Sequence, residues 1–129
     1  MNENVIQWLD SALMDLKSIE KIMDDAFLTP IACFHSQQCV EKTLKAALES
    51  LGYDIPKTHD LIRLYELIPQ KINIDVDLEQ LQIVSDLYIE TRYPGDGGLM
   101  PDGKPTLQDV NEFYKIAKEI YEAFRHILK

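Results

Sequence analysis

Residues 31–51, IACFHSQQCVEKTLKAALESL, constrain the fold most, because they are typical of a helix whose buried face carries polar side chains. At about 100° per residue, seven apolar residues share one face: Cys33, Phe34, Val40, Leu44, Ala47, Leu48 and Leu51. Gln37 falls in the middle of that face and Glu41 at its edge, with Gln38 and Lys45 on the flank. A buried amide or carboxylate without a hydrogen bond costs roughly 1–3 kcal/mol. We therefore expect other segments of the chain to supply partners for this helix.

Two later segments carry side chains suited to that role. Residues 58–61 offer an imidazole, and residues 92–94 offer a guanidinium and a phenol. Arginine can bond a carboxylate through two parallel N–H donors. The sequence therefore predicts a polar pocket that is lined by Gln37, Glu41, Lys45, His59, Arg92 and Tyr93. Two interpretations stay open: a ligand-binding site, or a Glu41–Arg92 pair that ties a loop to the bundle while His59 caps a helix.

The same segments carry a family resemblance. Gln37-Gln38-x-x-Glu41-Lys42-x-Leu44-Lys45-Ala46, then Thr58-His59-Asp60-Leu61, then Arg92-Tyr93-Pro94 resembles the HEPN family (higher eukaryote and prokaryote nucleotide-binding) in its prokaryotic stand-alone form. The resemblance implies an up-and-down antiparallel bundle of about four to five helices that often dimerises. It also implies a nucleotide ligand, or a small nucleotidyltransferase as partner in a toxin–antitoxin-like pair.

Apolar spacing independently predicts a single all-α domain over residues 1–129, built as an antiparallel helical bundle. The first helix is expected over residues 3–25, with a buried stripe of Val5, Leu9, Ala12, Leu16, Ile19 and Met23. Thr29 is the expected N-cap of the second helix and Thr58 of the third, and the fourth begins near Asp77. The fifth helix is expected to begin with Thr106 and Asp109 in a capping-box-like relation, with Asp in place of the usual Glu. Residues 70–76 alternate as a strand would, but nothing is available to pair with them. We expect an extended connection there.

The net charge of the chain limits which kinds of molecule it is expected to bind. The chain carries 22 acidic against 13 basic residues, a net charge of −9. Binding to duplex nucleic acid draws its affinity mainly from lysine and arginine, so this class is not expected. A small nucleotide in a local pocket, or a partner with a basic surface, is compatible with the charge.

No apolar run approaches the ~18–20 residues of a membrane span, and the N-terminus does not resemble a signal peptide. We therefore expect a cytoplasmic protein without a membrane partner.

Cysteine and histidine placement indicates neither a disulfide nor a metal. Cys33 and Cys39 are six residues apart on one predicted helix, which separates them by roughly 9 Å along its axis. Reduced thiols in or near the core are expected. His35, His59 and His126 lack the paired spacing of zinc ligands. The sequence therefore predicts no cofactor and no metal site.

Residues 91–105, TRYPGDGGLMPDGKP, hold four of the five glycines and three of the six prolines. A loop of this length in a compact bundle is commonly functional. Residues 98–105 nearly match the phosphate-loop pattern G-x-x-x-x-G-K-[ST]. Pro105 supplies neither the hydroxyl nor the N–H that the last position requires, and no strand precedes the loop. We therefore do not expect a phosphate loop.

Ribonuclease members of the HEPN family carry an Arg-x4–6-His motif that this chain lacks. Arg63 and Arg92 have no histidine within ten residues downstream, and Arg125 is followed directly by His126. The sequence therefore favours a non-catalytic module that binds a nucleotide, a small nucleotidyltransferase, or both. The alternative is a ribonuclease toxin that acts through Arg92 and His59, and the missing motif disfavours it.

Aromatic residues on the first and last helices predict a homodimer. Their apolar stripes are widened by Trp8, Tyr114, Tyr121 and Phe124. Small bundles rarely leave large apolar patches in water, and a two-fold contact between copies would cover such a patch.

Overall fold

The computed structural model describes residues 2–90 and 103–128. Its helices are α1 (Glu3–Ile22), α2 (Thr29–Ser50), α3 (Leu61–Glu66), α4 (Leu78–Glu90) and α5 (Leu107–Leu128), with a 3-10 turn at Gln70–Ile72. The prediction of an all-α helical bundle is confirmed. In the described part of the chain, no helix is long and apolar enough to cross a membrane.

The second helix is the centre of the bundle. α2 packs against α1, α3, α4 and α5. Its apolar face is fully buried at Val40, Leu44 and Leu48, and Leu61 and Phe124 from other helices complete the same core. A helix that is surrounded on several sides must bury part of its polar surface as well, which explains why Gln37 lies inside.

The first helix follows its predicted stripe but is shorter than predicted. Its buried residues include Val5, Leu9, Ala12, Leu16 and Ile19. The helix ends at Ile22, whereas we expected it to reach residue 25. The backbone N–H of Asp25 bonds the Ile22 carbonyl at 3.0 Å, and the Asp25 carboxylate accepts from the Phe27 N–H at 2.9 Å. These turn bonds replace the next helical turn.

Two predicted N-caps are wrong. Thr29 is the first residue of α2, and Leu28 occupies the cap position without a side-chain bond. Pro30 in the first turn has no N–H that a cap could satisfy. At α3 the cap is Asp60, which accepts from the N–H groups of Ile62 and Arg63 at 3.0 and 3.3 Å. Thr58 instead accepts from the Asp60 N–H, so it shapes the turn before the helix.

The start of α5 confirms the predicted capping box. Thr106 Oγ1 accepts from the Asp109 N–H at 3.0 Å, and the Asp109 carboxylate accepts from the Thr106 N–H at 2.9 Å. Asp77 caps α4 in a similar way, since its carboxylate accepts from the N–H groups of Glu79 and Gln80. The connection over residues 70–76, which we expected to be extended, begins instead with the 3-10 turn. Ile74 and Val76 then pack against the core.

Both cysteines are free and buried, as predicted. Burial raises the pKa of the Cys33 thiol to about 12. Burial, and secondly the charge of Asp15, raises the pKa of Cys39 as well.

Tyr121 and Phe124, two of the four aromatic residues behind the predicted homodimer, lie in the core of the single chain. Trp8 and Tyr114 are partly buried against the same core. The homodimer itself stays a prediction.

Candidate functional site

A buried carboxylate on α2 organises the predicted polar site. Glu41 is only 5% exposed. Its Oε2 accepts from Lys45 Nζ at 2.9 Å, one helical turn further on. Its Oε1 lies 2.9 Å from His59 Nδ1 and accepts from Gln37 Nε2 at 3.2 Å. The structure therefore brings together four of the six residues that we predicted for this site.

Gln37 ties the segment before α3 to the central helix. Its amide nitrogen also donates to the His59 backbone carbonyl at 3.1 Å, and its amide oxygen accepts from Gln38 at 2.8 Å. Gln37 is fully buried, and these bonds satisfy both ends of its amide. The expected contact between α2 and residues 58–61 is thus present.

The imidazole of His59 is fixed in position and in tautomer. A carboxylate can only accept, so the proton between Glu41 and His59 belongs to Nδ1. The other ring nitrogen, Nε2, is left to accept or, when protonated, to donate. The ring stacks on Tyr88 with centroids 3.8 Å apart and planes 13° apart, which holds it from a second side. The side chain is 47% exposed, so a ligand can reach it.

His59 opens onto a cleft of about 500 Å³ between the start of α3 and α4. The described residues that line it are His59, Asp60, Gln82, Ser85, Asp86, Tyr88 and Ile89. Ser85 joins the two walls, because its hydroxyl accepts from the Leu61 N–H at 3.0 Å. Tyr88 and Ile89 give apolar surface, and Asp60 and Asp86 give carboxylates. Such a wall suits a flat heterocycle that carries amino groups.

Lys45 does not line this cleft. It is buried, bonded to Glu41, and its ammonium lies 5.7 Å from the centre of the Trp8 ring. Lys45 therefore neutralises Glu41 and is unsuited to meeting a ligand in the cleft. Arg92 and Tyr93, the other two predicted site residues, lie outside the described residues, and a Glu41–Arg92 pair stays a prediction. Most of the near-match to the phosphate loop, residues 98–102, lies outside them as well.

A second buried carboxylate was missed by the sequence reasoning. Asp15 on α1 is 5% exposed and contacts a histidine and a lysine of α2. Its Oδ1 lies 2.8 Å from His35 Nδ1, and its Oδ2 lies 2.9 Å from Lys42 Nζ. A signal was present, because Asp15 falls three residues after Ala12 and four before Ile19, on the buried stripe of α1. The role of Tyr88 as a stacking partner had no comparable signal.

A family model and one of the similar solved structures carry the same family name. Residues 5–127 match the family model described as HEPN domain. The fold is similar to that of TT1696 from Thermus thermophilus, with a TM-score of 0.84, 25% sequence identity, and coverage of 98% of this chain and 99% of the other. It is also similar to ST0689, described as an archaeal HEPN homologue, with a TM-score of 0.74, 25% identity and complete coverage of both chains. No curated protein matches the sequence.

Proposed function

The chain belongs to the HEPN domain family, and we propose that it is a non-catalytic binding module that holds a nucleotide in the cleft beside His59. The observation that carries this proposal is the fixed imidazole. Glu41 holds Nδ1 at 2.9 Å and Tyr88 stacks on the ring, so Nε2 is a preset hydrogen-bonding group at the cleft wall. A preset group costs little conformational entropy when a ligand binds.

The charges of the cleft determine which part of a nucleotide enters it. Asp60 and Asp86 line the cleft, and His59 is the one described lining residue that can become positive. Carboxylates repel phosphates and accept hydrogen bonds from exocyclic amino groups. We therefore propose that the base and ribose occupy the cleft while the phosphates stay outside. Adenine, guanine and cytosine nucleotides are expected to bind more tightly than uracil nucleotides.

Urea melts with and without nucleotide test this proposal. Saturating ATP should raise the wild-type midpoint, because a ligand that binds only the folded state must stabilise it, and UTP should raise it less. Asp86→Asn should reduce the ATP effect, since Asp86 is exposed in the cleft and bonds only Gln82 among the described residues. Glu122→Gln, which changes an exposed carboxylate outside the cleft, is the matched control. A wild-type midpoint that no nucleotide moves would refute the nucleotide part.

We also propose a protein partner, a small nucleotidyltransferase in a toxin–antitoxin-like pair. Its support is the family membership together with the net charge of −9, which suits a partner with a basic surface. Co-expression with the products of neighbouring genes tests this part. Absence of a nucleotidyltransferase gene nearby, together with no such enzyme co-purifying, would end it.

One observation favours a second candidate function, a ribonuclease that uses His59 and Arg92. An imidazole whose Nδ1 is held by a carboxylate has the arrangement that a general base needs, and Glu41 and His59 have this arrangement. Incubation of purified protein with single-stranded RNA decides between the two. Cleavage that both His59→Ala and Arg92→Ala abolish would replace the non-catalytic proposal, and no cleavage at micromolar protein would remove this candidate.

A further inference from the structure

A second surface depression lies between α4 and α5, away from His59. Its upper part, of about 390 Å³, is lined by residues that include Ile83, Phe113 and Ile116. Its lower part, of about 230 Å³, is lined by residues that include Val76, Ile116 and Ile120. Gln80, Ile116 and Glu119 belong to both parts, so the two form one continuous groove. We call it the α4/α5 groove.

The groove exists because α4 and α5 both pack on α2 and hardly contact each other. The two helices run antiparallel along it, since Ile83 faces the Glu112–Ile116 side while Val76 faces the Ile116–Ala123 side. The lining residues of α5 extend from Glu112 to Ala123, which corresponds to about 16 Å of helix. That length matches about three turns of a helix laid in the groove.

Apolar surface in this groove lacks a partner within the described chain. Ile83 is 49% exposed on α4, and Ile116 is partly buried beside it on α5. The buried residues Leu81, Val84 and Leu87 already make the contacts of α4 with the core. Ile83 therefore adds nothing to the core of the single chain. Grooves with an apolar floor and polar edges typically bind the apolar face of an amphipathic helix.

The edges of the groove are acidic. Among the described lining residues, Asp75, Asp77, Glu112 and Glu119 carry negative charge and Lys115 carries positive charge. A helix flanked by lysine or arginine complements this surface. A second copy of this chain would present the same acidic edges and would be repelled.

From this apolar strip and its acidic edges, we propose that the α4/α5 groove binds a basic amphipathic helix of a partner protein. The occupant presents apolar residues at positions i, i+3 or i+4, and i+7, and lysine or arginine at its flanks. Ile83 and Ile116 receive the apolar residues, and Glu112 and Glu119 receive the flanking cations. This inference does not depend on nucleotide binding, because the cleft beside His59 is lined by a different face of α4.

Fluorescence anisotropy with a labelled amphipathic Leu/Lys helical peptide of about 14 residues tests the proposal. The control peptide has the same composition in scrambled order, so that it keeps the charge and loses the apolar face. At physiological salt, the wild-type protein should bind the amphipathic peptide about tenfold or more tightly than the scrambled one. Ile83→Asp should remove most of that difference. Ile89→Asp, which changes an exposed isoleucine of α4 on the side of His59, should leave it unchanged.

Two charge-reversal variants of α5 test the acidic edge of the groove. Glu119→Lys should weaken peptide binding more than Glu122→Lys, because Glu119 lines the groove and Glu122 bonds Arg125 elsewhere on α5. Equal binding of both peptides, or equal loss in the two isoleucine variants, would overturn the proposal. It would also be overturned by light scattering that shows a dimer for the wild type and a monomer for Ile83→Asp, since a second copy would then fill the groove.

Discussion

Two buried carboxylates, Glu41 and Asp15, are each held by one lysine and one histidine. Glu41 meets Lys45 and His59, and Asp15 meets Lys42 and His35. Each lysine offsets a negative charge that would be expensive to bury alone. At the residue scale, His35, Glu41, Lys42 and Lys45 of α2 are thus held in pairs within the bundle, and among the described residues of these two networks His59 is the one that lines the cleft.

Lys45→Met tests how much the bundle depends on the Glu41 network. The methionine keeps most of the side-chain volume but, among the described residues, leaves Glu41 with His59 and Gln37 as its partners. We expect a loss of about 3 kcal/mol in the free energy of unfolding, the low end for a broken buried pair, because those two partners remain. Lys17→Met, which breaks an exposed ion pair with Glu20 on α1, should cost less than about 0.5 kcal/mol. Equal losses in urea melts of the two variants would show that Glu41 is not held as described.

The two thiols predict a loss of stability at alkaline pH. Burial raises the pKa of Cys33 to about 12 from its ordinary value of 9.0 and raises the pKa of Cys39 in the same direction. The unfolded chain therefore ionises both thiols first, and the stability present below pH 9 is lost as the pH rises towards 12. We expect a slope of about 1 kcal/mol per thiol for each pH unit. The variant Cys33→Ala/Cys39→Ala should give a flatter slope in urea melts between pH 8 and pH 10; an unchanged slope would contradict the burial of the thiols.

At the scale of single elements, the sequence predicted the features that a local pattern marks, and it missed a pair that no pattern marks. The capping box of α5 joins Thr106 to Asp109 within one turn, and it was predicted correctly. The polar face of α2 was predicted from periodicity, and residues 58–61 were one of the two segments expected to supply its partners because of their side chains. Asp15 was missed because its partners His35 and Lys42 are 20 and 27 residues away, and no local pattern names them.

The third helix shows why a cap can be misplaced by two residues. Thr58 and Asp60 are both good N-cap residues, and each accepts a backbone N–H two residues further along the chain. Propensity alone cannot choose between them. The choice is made by tertiary packing, since Ser85 of α4 accepts from the Leu61 N–H and Leu61 is fully buried. This fixes Leu61 as the first residue of the helix and leaves Asp60 as its cap.

Two threonine variants test these caps. Thr106→Ala should lower the free energy of unfolding by about 1 kcal/mol, because it leaves the Asp109 N–H of α5 without its partner. Thr58→Ala removes a hydroxyl that serves only the turn before α3, and it should cost less than about 0.5 kcal/mol. Thr106→Ser, which keeps the hydroxyl, should stay close to the wild type. A larger loss for Thr58→Ala than for Thr106→Ala in urea melts would mean that the two roles are reversed.

On the scale of the whole molecule, α4 separates two surfaces of different chemistry. One side borders the cleft beside His59, and the other borders the α4/α5 groove. Because exposed positions such as Ile83 and Ile89 belong to different surfaces, single substitutions can change one without the other. A nucleotide in the cleft and a basic helix in the groove would therefore not compete for the same residues of α4.

If the predicted homodimer forms, the exposed apolar residues of α1 offer a surface for its contact. Tyr121 and Phe124 are used in the core, so α5 offers less apolar surface than its sequence suggested. On α1, Ile6 and Met14 are 43% and 62% exposed and lie two turns apart on one row of the helix. An antiparallel two-fold contact centred near Met14 would bury this row and set Lys17 of each copy against Asp10 of the other.

Light scattering at tens of micromolar protein measures the mass of the particle and so tests for the homodimer. The wild type should give twice the 14.9 kDa mass of the single chain. Met14→Lys should give the single-chain mass, because it places two like charges at the centre of the contact, where charge repulsion and desolvation both oppose association. Ile83→Lys makes the same kind of change on α4, where a basic helix and not a second copy is expected, and it should remain dimeric. A wild-type mass of 14.9 kDa would rule out the homodimer, and a Met14→Lys protein that stays dimeric would move the contact away from α1.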